Sequence, residues 1–254
     1  FFFWIVIGYK AIIYYCLQEL SQSLKSEKGE LHPVKCDITN DEERKMAFEW
    51  VKTNLGGVDI LVNNAGLAID TPLIGIVYHT FTDKYSIKND ESLSFPIDGS
   101  PVDLKNMLIL NVLALTLCTQ EALKSMKDNG VDDGHIIHIN SCGGHVPPID
   151  HYAMYFATKH AVTALTEGLR KELMAKKSNI RVTSLSPGLV KTDMVPDKLL
   201  KVRPYIQAEN IADALLYILS VPADVQVMRL QLLNLFYNYS ISIAIWFGSL
   251  VVYS

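Results

Sequence analysis

The sequence predicts an α/β fold in which a doubly wound parallel sheet is covered by helices on both faces. Segments that are apolar throughout and as short as strands alternate with segments of helical periodicity. Several of the strand-like segments end in Asn, Gly, Ser or Pro, which suit the ligand-binding edge of a parallel sheet. Apolar residues make up 49% of the 254-residue chain and charged residues 20%, which excludes wholesale disorder.

The alternating elements can be assigned in order along the chain. We predict strands at 32–40, 58–66, 134–141 and 180–188, and helices at 41–55, 104–127, 151–177 and 208–220. Asp41 and Glu42 fall in the first turn of a predicted helix, where the helix dipole favours acidic side chains. This layout is Rossmann-like, and its ligand is expected at the carboxyl ends of the strands.

Residues 75–103 interrupt the alternation. The segment is polar, mixed in composition and carries two prolines. We therefore predict a long surface loop or insertion there.

Both ends of the chain are poor in charge. Residues 1–19 hold two charged side chains, Lys10 and Glu19, and residues 230–254 hold none. Three interpretations stay open for these ends: core strands, incorrectly translated sequence, or a membrane anchor in at least one of them. Lys10 and the lack of a small-residue cleavage site argue against a signal peptide.

Composition excludes several classes of function. The net charge is −4 and no Lys/Arg cluster occurs, so nucleic acid is not an expected partner. Four cysteines without a C-x-x-C pair and seven histidines without H-E-x-x-H spacing predict no metal site. The cysteine usage favours a reducing, cytoplasmic location, with membrane association through an apolar end as the alternative.

The most specific motif is Asn63-Asn64-Ala65-Gly66, which stands at the end of an apolar strand. Ala and Gly let a ligand approach the backbone closely, and Asn can bridge neighbouring strands. Such a run is very rare by chance in a chain of this composition.

Other candidate residues are weak signals when taken singly. Tyr155 and Lys159 share a helix face, where an ammonium would stabilise a phenolate, but such a pair is expected about once by chance. Ser141 and the Ser186-Pro187-Gly188 run each end a strand, which is also typical of caps and turns. Asn111 lies within an apolar helical run, where its amide must be hydrogen-bonded.

The order of these motifs resembles the short-chain dehydrogenase/reductase family over about residues 17–227. The stretches NVLALTLCTQEALKSM, YFATKHAVTALTEGLRKEL and IRVTSLSPGLV are most similar to its dehydrogenase/reductase member 11 branch, which includes farnesol dehydrogenase-like proteins. The resemblance implies one domain at 17–227, with an insertion at about 75–97 and atypical ends at 1–16 and 228–254.

The resemblance also implies a chemistry: reversible hydride transfer between NADP(H) and a small apolar alcohol or carbonyl substrate, steroid- or isoprenoid-like. NAD(H) is not excluded, because the residues that would decide are absent. Tyr155 would be the acid/base, Lys159 would lower its pKa and bind the nicotinamide ribose, Ser141 would orient the carbonyl, and Asn111 would hold a water. The implied cofactor contacts are Asp37, Ile38, Asn63, Asn64, Ala65, Gly66, Tyr155, Lys159, Pro187, Gly188, Val190, Lys191 and Thr192, with residues 193–206 as a lid.

The sequence departs from the family at the phosphate-binding loop. Only Gly8 and Gly29 precede Gly56, so the T-G-x-x-x-G-x-G motif is missing and the fold is expected to be incomplete at its N-terminal strand-helix unit. The leading hypothesis is a dehydrogenase lineage represented by a damaged or truncated chain. The alternative is a non-catalytic protein that dimerises through helices 104–127 and 151–177. A Ser hydrolase is disfavoured because no G-x-S-x-G occurs. We expect a homo-oligomer and weak NADP(H) binding.

Overall fold

The computed structural model describes residues 3–8, 11–71, 100–149 and 152–236. The strands are β1 (Phe3–Gly8), β2 (Glu30–Lys35), β3 (Ile60–Asn63), β4 (His135–Ile139), β5 (Arg181–Pro187) and β6 (Arg229–Leu232). The helices are α1 (Ala11–Ser23), α2 (Asp41–Leu55), α3 (Pro101–Leu108), α4 (Leu115–Asp128), α5 (Ala153–Ala175), α6 (Asp197–Leu200) and α7 (Ala208–Ser220).

Every strand pairing in these stretches is parallel. Strands β3, β4, β5 and β6 form one sheet in that order, and β1 pairs with β2 in a separate two-stranded sheet. The parallel sheet with flanking helices confirms the predicted fold class. Within the described residues, neither β1 nor β2 pairs with a strand of the larger sheet.

Local sequence explains the best-predicted element, α2. The Asn40 side chain accepts hydrogen bonds from the backbone N–H groups of Glu42 and Glu43, which caps the first turn. Gly56 ends the helix with a φ of 83°, a left-handed conformation that glycine adopts without a Cβ clash. The helix therefore begins and ends at the residues that the sequence predicts.

Two apolar clusters hold the layers together. The first joins β2 and β3 to the helices on one face and contains Cys36, Ile38, Ala47, Leu110, Ala114 and Cys118. The second packs β4 and β5 against α7 and contains Ile137, Leu185, Ala214 and Ile218. Val34 of β2 and Leu61 of β3 both pack against the first cluster, although the two sheets share no hydrogen-bonded ladder in the described part of the chain.

The predicted helix 104–127 is one continuous helix, Pro101–Asp128, with a π-helical segment at Ile109–Ala114. By length and composition this helix could cross a membrane. It also buries Met107, Asn111, Ala122 and Met126 almost completely. A core helix of a water-soluble fold passes the same test, so the finding is weak evidence for a membrane span.

The structure differs from the sequence expectation at the end of the domain. The final strand of the family, expected to be lost after residue 227, is present as β6, so the sheet extends beyond that predicted boundary. Phe3–Gly8 form a strand that pairs with β2, and α6 lies within residues 193–206, whose role as a lid stays a prediction. The insertion at about 75–97 and the tail beyond residue 236 lie outside the described residues.

Candidate active site

Helix α5 carries Tyr155 and Lys159 one turn apart, as the Tyr-x-x-x-Lys spacing predicts. The Lys159 Nζ atom lies 5.9 Å from the centroid of the Tyr155 ring. Lys159 is only 5% exposed, and its Nζ donates to the backbone oxygen of Ile139 at 2.9 Å. Burial lowers the pKa of this ammonium to about 8.

Ser141 follows β4 and faces Tyr155. Its Oγ accepts a hydrogen bond from the backbone N–H of Gly143 at 3.0 Å, which caps the 3₁₀ turn Cys142–Gly144. Burial raises the pKa of the Tyr155 phenol, and the hydrogen bond with Ser141 acts in the opposite direction. In the structure the opposing effect thus comes from Ser141, and a lowering by Lys159 stays a prediction.

Asn111 ties the π-helical segment to the strand-end loop. Its Oδ1 accepts from the Leu67 N–H at 2.7 Å, and its Nδ2 donates to the Leu67 oxygen at 2.8 Å and to Thr158 Oγ1 at 3.0 Å. Both hydrogens of the Asn111 amide are therefore used. Oδ1 accepts one of these hydrogen bonds, so its second lone pair can accept from a water. A π segment is frequent at functional sites because it re-aims a side chain, here the buried Asn111.

The Asn63–Gly66 run passes beside these groups. A Cβ added at Gly66 would lie 3.4 Å from Asn111 Oδ1 and 3.8 Å from Lys159 Nζ. Asn63 is buried, and its Nδ2 donates to Thr119 Oγ1 at 2.9 Å, whereas Asn64 and Ala65 are exposed. The run thus anchors itself through Asn63 and presents its next residues to solvent, where a ligand can reach them.

The two residues predicted to contact adenine differ in exposure. The Asp37 carboxylate accepts hydrogen bonds from Thr39 N and Thr39 Oγ1, at 2.9 and 2.6 Å. Ile38 is 9% exposed and its side chain belongs to the first apolar cluster. The side chain of Ile38 is therefore mainly a core residue, and its contact with a cofactor stays a prediction.

The loop after β5 is fixed at its start and at its middle. Gly188 N–H donates to the Leu232 oxygen at 2.7 Å, and Lys191 N–H to the Ile206 oxygen at 2.9 Å, beside a bridge between Val190 and Ile206. An open groove of about 550 Å³ lies here, and its lining includes Lys191, Thr192, Val195 and Gln207. The groove is lined by the loop, by α6 and by the start of α7, and Tyr155 does not line it.

A chain of buried polar side chains escaped the sequence analysis. His138 contacts Thr119 Oγ1 at 3.3 Å and Thr166 Oγ1 at 2.8 Å, so it continues the bond from Asn63 to Thr119 across to α5. Burial lowers the His138 pKa to about 4, which keeps the ring neutral. A signal was present, since a His in an apolar strand needs polar partners.

The described residues fit a nucleotide cofactor on the catalytic side. Lys159 is a buried cation with three donors, one of which is used on Ile139. Gly66 keeps the backbone open beside it. Among the residues of the described stretches, no group of three or more His, Cys, Asp or Glu could hold a metal ion.

Comparison with known proteins adds a family to this geometry. The family model for short chain dehydrogenases matches residues 11–202. A farnesol dehydrogenase from Aedes aegypti is 41% identical over 210 residues, covering 82% of this chain and 76% of its own. The dehydrogenase/reductase SDR family member 11 of Mus musculus is 41% identical over 229 residues, covering 85% of this chain and 79% of its own.

Solved structures have the same fold. The closed form of serine dehydrogenase complexed with NADP+ superposes with a TM-score of 0.69 at 26% identity, covering 93% of this chain and 86% of its own. A blue fluorescent protein from a metagenomic library, in complex with NADPH, gives a TM-score of 0.70 at 24% identity over 91% of this chain and 85% of its own. The second likeness concerns the fold alone.

Proposed function

The chain belongs to the short-chain dehydrogenase family, and we propose that its site exchanges a hydride between NADP(H) and an apolar alcohol or carbonyl compound. The observation that carries the proposal is the convergence of Ser141, Tyr155, Lys159 and Asn111, which come from α5, the π-helical segment and the turn after β4. Family membership supports an NAD(P)-dependent oxidoreductase, and the geometry supplies the residues for it.

Each side chain has one task in the reducing direction. Tyr155 gives its phenolic proton to the carbonyl oxygen as the substrate becomes an alcohol. Ser141 donates a hydrogen bond to the same oxygen and orients it. Lys159, a buried cation, stabilises the phenolate that remains and binds the ribose hydroxyls. When bound, the reduced nicotinamide supplies the hydride, and in the oxidising direction it is regenerated.

Asn111 prepares the site rather than touching the substrate. Its bonds to Leu67 hold the backbone after Gly66 next to Lys159, where a cofactor would pass. Its remaining lone pair can hold a water through which Lys159 exchanges protons with solvent. The proton that Tyr155 loses is then replaced from solvent through Lys159.

Two observations support the cofactor and the rest of its contacts. A solved relative of 26% identity is complexed with NADP+, so NADP(H) is proposed, with NAD(H) as the alternative. Exposed Asn64 and Ala65 suit the adenosine side, and the loop Pro187–Thr192 suits the nicotinamide side. Asp37 and Ile38 complete the proposed adenine contacts.

An apolar substrate agrees with the surroundings of Tyr155. The rings of Tyr152 and Phe156 lie within 6.4 Å of each other, and those of Tyr155 and Phe156 within 5.6 Å. Val146, after the Ser141 turn, is 40% exposed. The name of the 41%-identical farnesol dehydrogenase points to an isoprenoid alcohol, an apolar substrate that agrees with these aromatic surroundings and with the exposed Val146.

We further propose that the protein is a cytoplasmic homo-oligomer. Each copy has one domain, which comprises residues 17–227 and the last strand, β6. Val102, Leu108 and Leu113 are 62%, 45% and 52% exposed on the long helix. Apolar side chains exposed along one helix are typical of a surface that a second copy covers.

The experiment uses a chimera, because the 254 residues contain no T-G-x-x-x-G-x-G motif. Its design replaces residues 1–10 by the N-terminal segment of the Aedes aegypti farnesol dehydrogenase up to the residue aligned with 11, where the family match begins. We expect NADPH oxidation with an isoprenoid or steroid carbonyl. A chimera that binds NADPH and reduces no apolar carbonyl would overturn the proposed function and leave the non-catalytic alternative.

A further inference from the structure

Phe156 follows the proposed acid/base Tyr155 in the chain. Its aromatic ring packs against the turn that begins after Ser141. A Cβ built on Gly143 would lie 2.4 Å from Cδ1 and 2.6 Å from Cε1 of Phe156. Real Cβ atoms do not approach ring carbons so closely, so the ring occupies the space that a side chain at 143 would need. Phe156 is 5% exposed and has no solvent into which its ring could move.

Gly143 is needed for space and not for backbone freedom. Its φ is not positive, unlike those of Gly56, Gly57 and Gly130. An alanine could therefore adopt the same backbone, and the clash with Phe156 is the main obstacle. The fit between ring and glycine is thus a specific pairing of two side-chain positions.

The turn touches α5 through three positions on one helix face. Phe156 covers Gly143, the backbone oxygen of Lys159 would lie 2.7 Å from a Cβ at Gly144, and Thr163 Oγ1 donates to the Gly144 oxygen at 2.8 Å. The helix that carries Tyr155 therefore also sets the position of the turn after Ser141.

The position of the turn decides what the Ser141 hydroxyl can do. Gly143 N–H occupies a lone pair of Oγ at 3.0 Å, and a serine hydroxyl has one hydrogen to donate. With an acceptor site already filled, the hydroxyl hydrogen is left to point at Tyr155 or at a substrate oxygen. If the turn moved away, Ser141 could rotate and accept or donate elsewhere.

We propose that Phe156 is a positioning residue, which acts through Gly143 to fix the orientation of the Ser141 hydroxyl. The inference deepens the proposed function and rests on the role given there to Ser141. It assigns Phe156 and Gly143 as a matched pair, in which neither can be changed alone without displacing the turn.

The test measures the turn itself and needs neither cofactor nor turnover. Amide hydrogen exchange by NMR follows Gly143 relative to Ile137, which lies in the centre of β4. In Phe156→Leu and Phe156→Ala we expect Gly143 to exchange about fivefold to tenfold faster relative to Ile137, since one hydrogen bond is weakened. The matched control Phe48→Leu, in the first apolar cluster, should destabilise the protein and leave this ratio unchanged.

A second readout separates positioning from packing. In Gly143→Ala the pKa of Tyr155, followed by ¹³C-tyrosine NMR with Tyr155→Phe for assignment, should rise because the Ser141 bond that lowers it is weakened. The double variant Gly143→Ala/Phe156→Ala has room for the added methyl group, so it should lose less stability than the sum of the two single variants.

The outcomes are decisive. An unchanged Gly143 ratio in both Phe156 variants, or additive losses in the double variant, would overturn the proposal. A Tyr155→Phe chimera that retained turnover would instead overturn the proposed function and leave the exchange data untouched. If Phe156→Ala fails to fold, Phe156→Leu and Gly143→Ala still decide the question.

Discussion

The strand ends of the larger sheet and the N-terminal β1–α1–β2 unit are held by different means. At the larger sheet, side chains far apart in sequence bond to each other, as in Asn63–Thr119, Asn111–Thr158 and His138–Thr166. Among the described side chains of the N-terminal unit, Ser21 Oγ donates to the Leu31 oxygen at 2.7 Å, a bond between residues ten positions apart.

This difference separates two tasks that a dehydrogenase needs. The proposed proton-transfer residues are fixed by contacts within β3–β5 and α3–α5, and none of these contacts passes through the N-terminal unit. Anchoring of a pyrophosphate depends in this family on the missing glycine-rich loop, where backbone N–H groups meet the anion. The catalytic geometry can therefore be complete in a polypeptide that holds its cofactor poorly.

The largest expected effect falls on the acid/base in the catalytic region. In the chimera, Tyr155→Phe should lower kcat by about 10²–10⁴-fold, because the proton donor is lost while the ring is kept. Tyr217→Phe, at a position 57% exposed on α7, is the matched control and should leave kcat unchanged. Steady-state NADPH oxidation checks both, and a loss below about tenfold for Tyr155→Phe would contradict its role.

Lowering the pH should reduce the free energy of unfolding, because the catalytic region contains buried histidines. His135 and His138 are each 1% exposed, and burial lowers both pKa values from 6.5 to about 4. The unfolded chain takes up these protons first, so stability is fully present above pH 6.5 and is lost as the pH falls towards 4. Each residue should cost about 3 kcal/mol over that window.

Urea unfolding at pH 7 and pH 4.5 measures this loss. His138→Asn keeps partners for Thr119 and Thr166 without a titrating ring. Because burial also lowers the pKa of the half-buried His145 to about 4, the variant should remove about a third of the acid-dependent loss. The control His160→Asn changes an exposed histidine and should not alter it. Equal acid sensitivity in all three proteins would show that the buried rings are not responsible.

A smaller effect compares the two regions directly. Asn111→Ala removes three hydrogen bonds and leaves the Leu67 backbone unpaired, so we expect a loss of about 3 kcal/mol of unfolding free energy. Ser21→Ala removes one half-buried bond and should cost no more than about 1 kcal/mol. Chemical denaturation of both variants checks the contrast, which fails if the Ser21 variant loses as much as the Asn111 variant.

The sequence predicts the elements whose signals are local. The Asn40 and Gly56 caps define α2, and residues 208–220 coincide with α7. The missed β6 is short and contains Arg229 and Gln231, a pattern that pairing with β5 stabilises but that periodicity does not reveal. The helix Ala11–Ser23 starts in an apolar segment for which composition leaves open a core strand, incorrectly translated sequence or a membrane anchor.

The site could be predicted only from the order of its motifs along the chain, which resembles that of the family. Ser141, Tyr155, Lys159 and Asn111 are brought together as that order implies. Their supports, His138, Thr158 and Phe156, depend on contacts between residues that are distant in the chain or on opposite elements. Such contacts follow from packing, which no local pattern in one sequence encodes.

The proposed division between an assembled catalytic region and weak phosphate binding is tested most directly by titrating NADPH into two proteins, the purified 254-residue polypeptide and the chimera. Loss of two charge-assisted hydrogen bonds and a helix terminus amounts to about 5 kcal/mol, so calorimetry should find the 254-residue polypeptide more than about a thousandfold weaker. A low micromolar dissociation constant for that polypeptide would contradict the account, because another segment would then supply the anion site.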